Sequence, residues 1–326
     1  MYIKELKFSL WADFIERDYL DGEFKKLIDT KTINGATSNP AIFKNAILNS
    51  PAYKEQLATL GDLTPKQKYE ALAIFDIKKA AEILSPLYEA GDDGYVSIEV
   101  DPFLSNDAEG TISEGKRLYV EIGRPNVMIK VPATDAGYTA MEELVAEGIA
   151  VNATLIFKKS QAQLCAKAFE SGVKRYGKKV DTVISIFVSR VDRAIDAKLR
   201  DSGVQESLTG IYNTADIYAT IQELNIEGCR ALFASTGVKG DTLPTHYYIE
   251  KLLAYNSVNT APVDTIKAYV KNGTTHKALP ISQEIIDTHM QKVEDAGIDL
   301  DKVLDAQISD GLVAFEEAFQ DILENL

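Results

Sequence analysis

Short β-branched or apolar runs alternate with longer amphipathic stretches along most of the chain, and this alternation constrains the fold more than any other feature. The clearest strand-like runs are residues 96–100, 127–131, 151–156 and 183–188, with weaker ones at 7–12, 32–37, 231–234 and around Val258. Helical spacing of apolar residues covers 65–88, 109–122, 139–147, 160–176 and 193–200. Strands separated by helices pair in parallel, because a parallel connection must cross back to the start of the sheet. Eight such strands in 326 residues predict an α/β fold, a single (β/α)8 barrel spanning 1–326 as one domain. The stretch from Thr37 to Gly94 is too long for one crossover and predicts two helices joined by a turn at residues 60–65. Residues 281–326 predict one or two further helices that cap the barrel.

Polar residues fall late in these strands, where a barrel of this kind builds its site. Strand side chains alternate between two faces, so residues two apart share a side. Asp13 ends the first strand, Glu99 shares a face with Ser97 in the third, and Lys130 interrupts the apolar run Val127-Met128-Ile129-Lys130-Val131. Asn152 and Thr154 take one face of the fifth strand, leaving Ala153 and Leu155 on the other. Ser185 and Phe187 share a face of the sixth, which leads to Arg190, and the seventh runs into Ser235-Thr236-Gly237-Val238-Lys239.

Lys130 is the sharpest of these. A lysine inside a strand is buried or faces a cavity; burial disfavours the ammonium form, and the free amine attacks a ketone to form a Schiff base. The competing reading is an edge lysine whose head snorkels to water. Glu99 and Asp13 could divide the proton transfers of Schiff-base chemistry between them. Equally, Glu99 could serve only as the ion-pair partner of Lys130, and Asp13 only as the cap of a helix over 14–19. Arg190 and Lys239 are candidate phosphate ligands, with the Ser235 hydroxyl nearby, but Arg190 could instead pair with Asp192 or Asp196.

Composition narrows the partners. Forty-nine acidic against 35 basic residues give a net charge of −14, a field that repels nucleic-acid backbones and anionic lipid. A phosphorylated substrate then needs a local group of cations. The two cysteines, Cys165 and Cys229, form no paired motif, and the three histidines (His246, His276, His289) are too dispersed for a metal-binding pair, so no zinc site is expected; no GxGxxG run supports a nicotinamide cofactor. No apolar run has the length of a signal peptide or a membrane span, which predicts a cytoplasmic protein, monomer and homodimer both remaining open. The run Gly110-Thr111-Ile112-Ser113-Glu114-Gly115-Lys116 has P-loop spacing, but Arg117 stands where Ser or Thr is required and the run lies within a helical stretch.

Five of these segments together resemble the transaldolase family. They are Thr37-Ser38-Asn39-Pro40, Ser97-Ile98-Glu99-Val100-Asp101, Met128-Ile129-Lys130-Val131-Pro132-Ala133-Thr134, Gly148-Ile149-Ala150-Val151-Asn152-Ala153-Thr154-Leu155-Ile156-Phe157 and Ser185-Ile186-Phe187-Val188-Ser189-Arg190, in the family's order. The resemblance implies a cofactor-free barrel enzyme that moves a dihydroxyacetone unit from sedoheptulose 7-phosphate to glyceraldehyde 3-phosphate, giving erythrose 4-phosphate and fructose 6-phosphate. It further implies that Lys130 forms the Schiff base, that Glu99 and Thr154 work through a water, and that Asp13 handles the proton at the cleaved bond. Asn39 and Asn152 would hold the dihydroxyacetone hydroxyls, with Ser185, Arg190 and the Phe187 wall on the phosphate side.

The chain departs from the family pattern once. Many members carry an arginine shortly after an Ala-Ser pair at the seventh strand; here Ala234-Ser235 is followed by Thr-Gly-Val-Lys, as in a longer bacterial subgroup, and Lys239 is expected to take the cation's place. Two alternatives stand beside this reading. One is a sugar-phosphate aldolase resembling the shorter fructose 6-phosphate aldolases, which tend to lack a glutamate at the Glu99 position. The other is a non-catalytic sugar-phosphate-binding barrel.

Overall fold

The computed structural model describes residues 2–326 and contains a closed barrel of eight parallel strands in sequential order, β1 (Phe8–Ala12), β2 (Gly35–Ala36), β3 (Tyr95–Glu99), β4 (Val127–Pro132), β5 (Val151–Ile156), β6 (Thr182–Phe187), β7 (Cys229–Ala234) and β8 (Ser257–Ala261). All neighbouring strands pair in parallel, and β8 closes on β1. The expected (β/α)8 fold is present. Helices α1 (Arg17–Tyr19) and α2 (Lys25–Asp29) precede β2, and α3 (Pro40–Asn49), α4 (Lys54–Thr59) and α5 (Pro65–Glu89) follow it. Then come α6 (Ala108–Ile122), α7 (Asp135–Ala146), α8 (Lys159–Tyr176), α9 (Ser189–Leu199), α10 (Thr209–Leu224), α11 (Tyr247–Lys251), α12 (Val263–Asn272), α13 (Gln283–Asp295) and α14 (Leu300–Asn325). The P-loop-like run lies inside α6, as its helical spacing indicated.

Several expectations need correction. Three helices, not two, fill the connection after β2, although the turn ahead of Pro65 is where the sequence put it. The 32–37 run contributes only Gly35 and Ala36 to the sheet, because the backbone N–H groups of Thr32 and Ile33 turn back to Leu27 O at the end of α2. Gly35 is demanded by packing: a Cβ there would lie 2.7 Å from the Trp11 ring, which fills the barrel floor. No helix begins at Phe14; Glu16 caps α1, its carboxylate accepting from Tyr19 N at 2.8 Å. The 193–200 helix starts earlier, at Ser189, and a second crossover helix, α10, follows it.

Leu155 does not share the outer face with Ala153. Its φ of +59° places a bulky residue in left-handed backbone, the β5–β6 register shifts there, and the side chain joins the inner cluster with Phe157, Phe187 and Phe315. Buried Gln161 holds this bulge, donating to Leu155 O and accepting from the N–H groups of Phe157 and Lys158.

Charge closes the floor of the barrel beneath Trp11. Asp93 accepts from Trp11 Nε1 at 3.1 Å and from both Arg230 terminal nitrogens at 2.5 and 3.2 Å, with both side chains largely out of solvent. Burial pushes the Asp93 carboxyl upward, but the Arg230 charge and the hydrogen bonds outweigh it and hold it below the usual carboxylate range. Arg230→Met strands that carboxylate in the floor, so chemical denaturation should show a loss of about 3–5 kcal/mol.

Candidate functional site

Parallel register places the key groups side by side. Glu99 on β3 pairs with Lys130 on β4, and Lys130 with Asn152 on β5, all three pointing into the barrel near its C-terminal mouth. Lys130 is 5% exposed. Its Nζ donates to Ser38 O at 3.1 Å, lies 3.3 Å from Glu99 Oε2, and sits 5.6 Å from the centroid of the Phe315 ring. The edge-lysine reading is therefore excluded, while the Glu99–Lys130 ion pair considered from sequence does form.

A cavity of about 160 Å³ opens above the amine. Asp13, Asn39, Lys130, Asn152, Thr154, Ser185, Phe187, Arg190 and Ser235 all line it. Glu99 is placed differently: it touches Lys130 from behind and faces a separate small void that it shares with Tyr69 and Glu114.

Hydrogen bonds set the orientation of these groups. Ser185 Oγ donates to Asn152 Oδ1 at 2.6 Å, and Asn152 Nδ2 donates to Ser97 Oγ at 3.0 Å, a chain that crosses from β6 to β3. Thr37 Oγ1 donates to Asp13 Oδ1 at 2.7 Å and is itself 2.6 Å from Thr260 Oγ1. Asn39 caps α3, accepting from Ile42 N at 3.0 Å, which fixes its side chain at the cavity edge. Thr154 Oγ1 is buried without a protein partner, as is Glu99 Oε2 apart from its ion pair. Burial raises both carboxyls, Asp13 and Glu99, against the opposing pull of Lys130. Carboxyls so raised can exchange protons closer to neutrality than ordinary ones.

Arg190 forms no ion pair with Asp192 or Asp196; its guanidinium lies 5.1 Å over the Phe187 ring and faces the cavity. Lys239 is not brought to the site. Ser235 turns with a φ of +55°, and the buried Thr236 hydroxyl then anchors to Asn259 Oδ1 and Thr260 O, both at 2.9 Å. Beyond it, Lys239 is exposed and is not among the residues that line the cavity.

Phe315 escaped sequence reasoning altogether. It comes from α14, whose spacing reads as an ordinary amphipathic helix, and which docks through the Lys44–Asp321 pair and an edge-to-face contact of Phe319 on Tyr69 at 5.0 Å. Gly311, one turn earlier, clears space for Leu155 and Arg190: a Cβ there would meet Leu155 Cδ2 at 2.8 Å. Thr37 was missed as the partner of Asp13, and Thr260 as the partner of Thr37, the latter a relation that only barrel closure creates.

A buried amine with carboxyls nearby, opening on a polar cavity that an arginine also lines, suits covalent chemistry on a carbonyl compound that carries an anionic group. Fold and site together describe a barrel enzyme. The family model for Transaldolase/Fructose-6-phosphate aldolase matches residues 10–326. A transaldolase of Campylobacter jejuni (strain RM1221) is 47% identical over 330 aligned residues, covering 98% of this chain and 99% of that one. A transaldolase of Helicobacter pylori (strain Shi470) is 40% identical over 320, with the same coverage. The chain belongs to the transaldolase/fructose-6-phosphate aldolase family.

Proposed function

We propose that this chain, acting as one barrel domain in the cytoplasm, transfers a dihydroxyacetone unit between sugar phosphates through a Schiff base on Lys130. The observation that carries the reading is the Lys130 amine, at the base of the cavity and held by Glu99 and the Ser38 carbonyl. The amine attacks the ketose C2 carbonyl, and loss of water from the carbinolamine gives the iminium. Glu99, with a water bound at the unsatisfied Thr154 hydroxyl, carries the protons of that dehydration. Asp13 accepts the C4 hydroxyl proton as the C3–C4 bond breaks; its electron pair moves into the iminium to form an enamine, and the aldose phosphate leaves. The acceptor aldehyde then takes the same place and the steps run in reverse. Asn39, Asn152 and Ser185 orient the three-carbon unit, while Arg190 and Ser235 meet the phosphate. The chemistry balances with side chains and water.

A second reading, cleavage of fructose 6-phosphate without transfer, shares every step up to the enamine. Glu99 beside Lys130 favours transfer, since the shorter aldolases it would resemble tend to lack that glutamate. The test is fructose 6-phosphate turnover with and without erythrose 4-phosphate. We expect turnover to depend on the acceptor; free dihydroxyacetone accumulating at the same rate in its absence would establish the aldolase instead. Borohydride reduction should trap a covalent adduct, and the absence of one would leave only a binding barrel.

A further inference from the structure

The chain has eight arginines. Six of them, Arg17, Arg117, Arg124, Arg175, Arg200 and Arg230, are ion-paired with carboxylates. Among the described residues, the two without such a partner are Arg190 and Arg193, three apart on α9. In a chain with a net charge of −14, carboxylates are plentiful. The two acidic residues nearest in sequence are turned elsewhere: Asp192 accepts from Gly210 N at 2.6 Å and Tyr248 OH at 2.8 Å, and Asp196 accepts from Ser207 N and Oγ, both at 3.0 Å. Neither guanidinium therefore has a carboxylate in ion-pair contact; burial holds both below the usual arginine range, the Arg193 charge adds to this at Arg190, and Glu99, Asp13 and Asp310 oppose it there from a distance, as Tyr248 and Asp192 do at Arg193.

Arg193 also connects to the cavity. Its Nη1 donates to Ser189 Oγ at 3.1 Å, and Ser189 Oγ is 3.1 Å from Ser235 Oγ, on the cavity wall. The residue as a whole is exposed, and Ser189 Oγ takes only one of its guanidinium donors. A phosphate monoester carries nearly two negative charges near neutrality, whereas the cavity lining offers Arg190 as its one cation apart from the nucleophile. Neither Lys239 nor Arg193 lines the cavity itself, but Arg193 is hydrogen-bonded to the hydroxyl pair that reaches it.

We propose that Arg193, working with the Ser189–Ser235 hydroxyl pair, is the second cation for the substrate's phosphate group and replaces the residue missing after β7. This rests on the sugar-phosphate reading above. It implies that the specificity of this chain for phosphorylated sugars is set from α9 and not from the loop after β7.

The test uses the full-length protein and inorganic phosphate as a competitive inhibitor of ketose phosphate turnover. Arg193→Met should weaken phosphate inhibition roughly ten- to hundredfold and raise KM for the ketose phosphate in parallel, with kcat moved far less. Arg193→Lys should restore most of the loss, a rescue that a packing role would not predict. Lys239→Met should shift phosphate inhibition less than about twofold, since no hydrogen bond links its side chain to the Ser189–Ser235 pair as one links Arg193. The proposal is overturned if Arg193→Met leaves phosphate inhibition in place, or if Lys239→Met weakens it instead. Borohydride trapping of the wild-type protein with fructose 6-phosphate separates the two levels: no adduct removes the Schiff-base reading itself, whereas an adduct with unaltered phosphate inhibition in Arg193→Met removes only the role of Arg193.

Discussion

Lys130→Met should abolish the borohydride-trapped adduct and lower turnover on the order of 10⁶-fold, the scale lost when a covalent nucleophile is removed. Met occupies much the same volume as the lysine stem, so the contact with Phe315 survives while the amine is gone. Glu99 is then left without its cation, but its carboxyl is already raised by burial and can take up a proton in place of remaining charged. The fold should therefore persist, and the unfolding midpoint measured beside the activity would show this. Peptide mass spectrometry of the trapped wild-type protein checks the assignment directly. A modification on any other lysine would end it, and so would substantial activity in Lys130→Met.

Glu99→Gln should lower kcat by about 10²–10⁴-fold, the usual worth of a positioned acid–base group. KM for the ketose phosphate should move little, because Glu99 reaches the chemistry through Lys130 and does not line the sugar cavity. The sign of the pH effect follows from the carboxyl's direction of shift. Burial raises it and Lys130 only partly offsets this, so the proton-accepting form is lost as pH falls through a value above the ordinary glutamate range. The acid limb of the wild-type kcat profile should lie correspondingly high, and Glu99→Gln should move it toward the limb set by Asp13 alone, also raised by burial. Unchanged kcat, or an acid limb that does not move, would remove Glu99 from the proton path.

Much of the site was legible because period-two alternation is local. Once Val127-Met128-Ile129-Lys130-Val131 is read as a strand, Met128 and Lys130 must share a face, and the same logic joins Asn152 to Thr154 and Ser185 to Phe187. It fails at Leu155, where positive φ breaks the alternation and no residue type signals it in advance. It also fails at β2, where the N–H groups of Thr32 and Ile33 turn back to Leu27 O and leave only two ladder residues. For Lys239, sequence proximity to Ser235 suggested a common task, but only Ser235 lines the cavity, while Thr236 between them is anchored to Asn259 and Thr260.

By itself the sequence determined the barrel, the order of its strands and the buried amine, since hydrophobic period and strand–helix alternation act over a few residues and survive without knowledge of neighbours. Tertiary structure alone decided what surrounds that amine. Phe315 comes to Lys130 from the last helix, Thr260 reaches Asp13 through Thr37 across the seam that closes the barrel, and Arg193 is left unpaired because Asp192 and Asp196 bond elsewhere. These relations join residues far apart in the chain, and their energies depend on which groups packing and desolvation bring into range, a matter that no local pattern encodes.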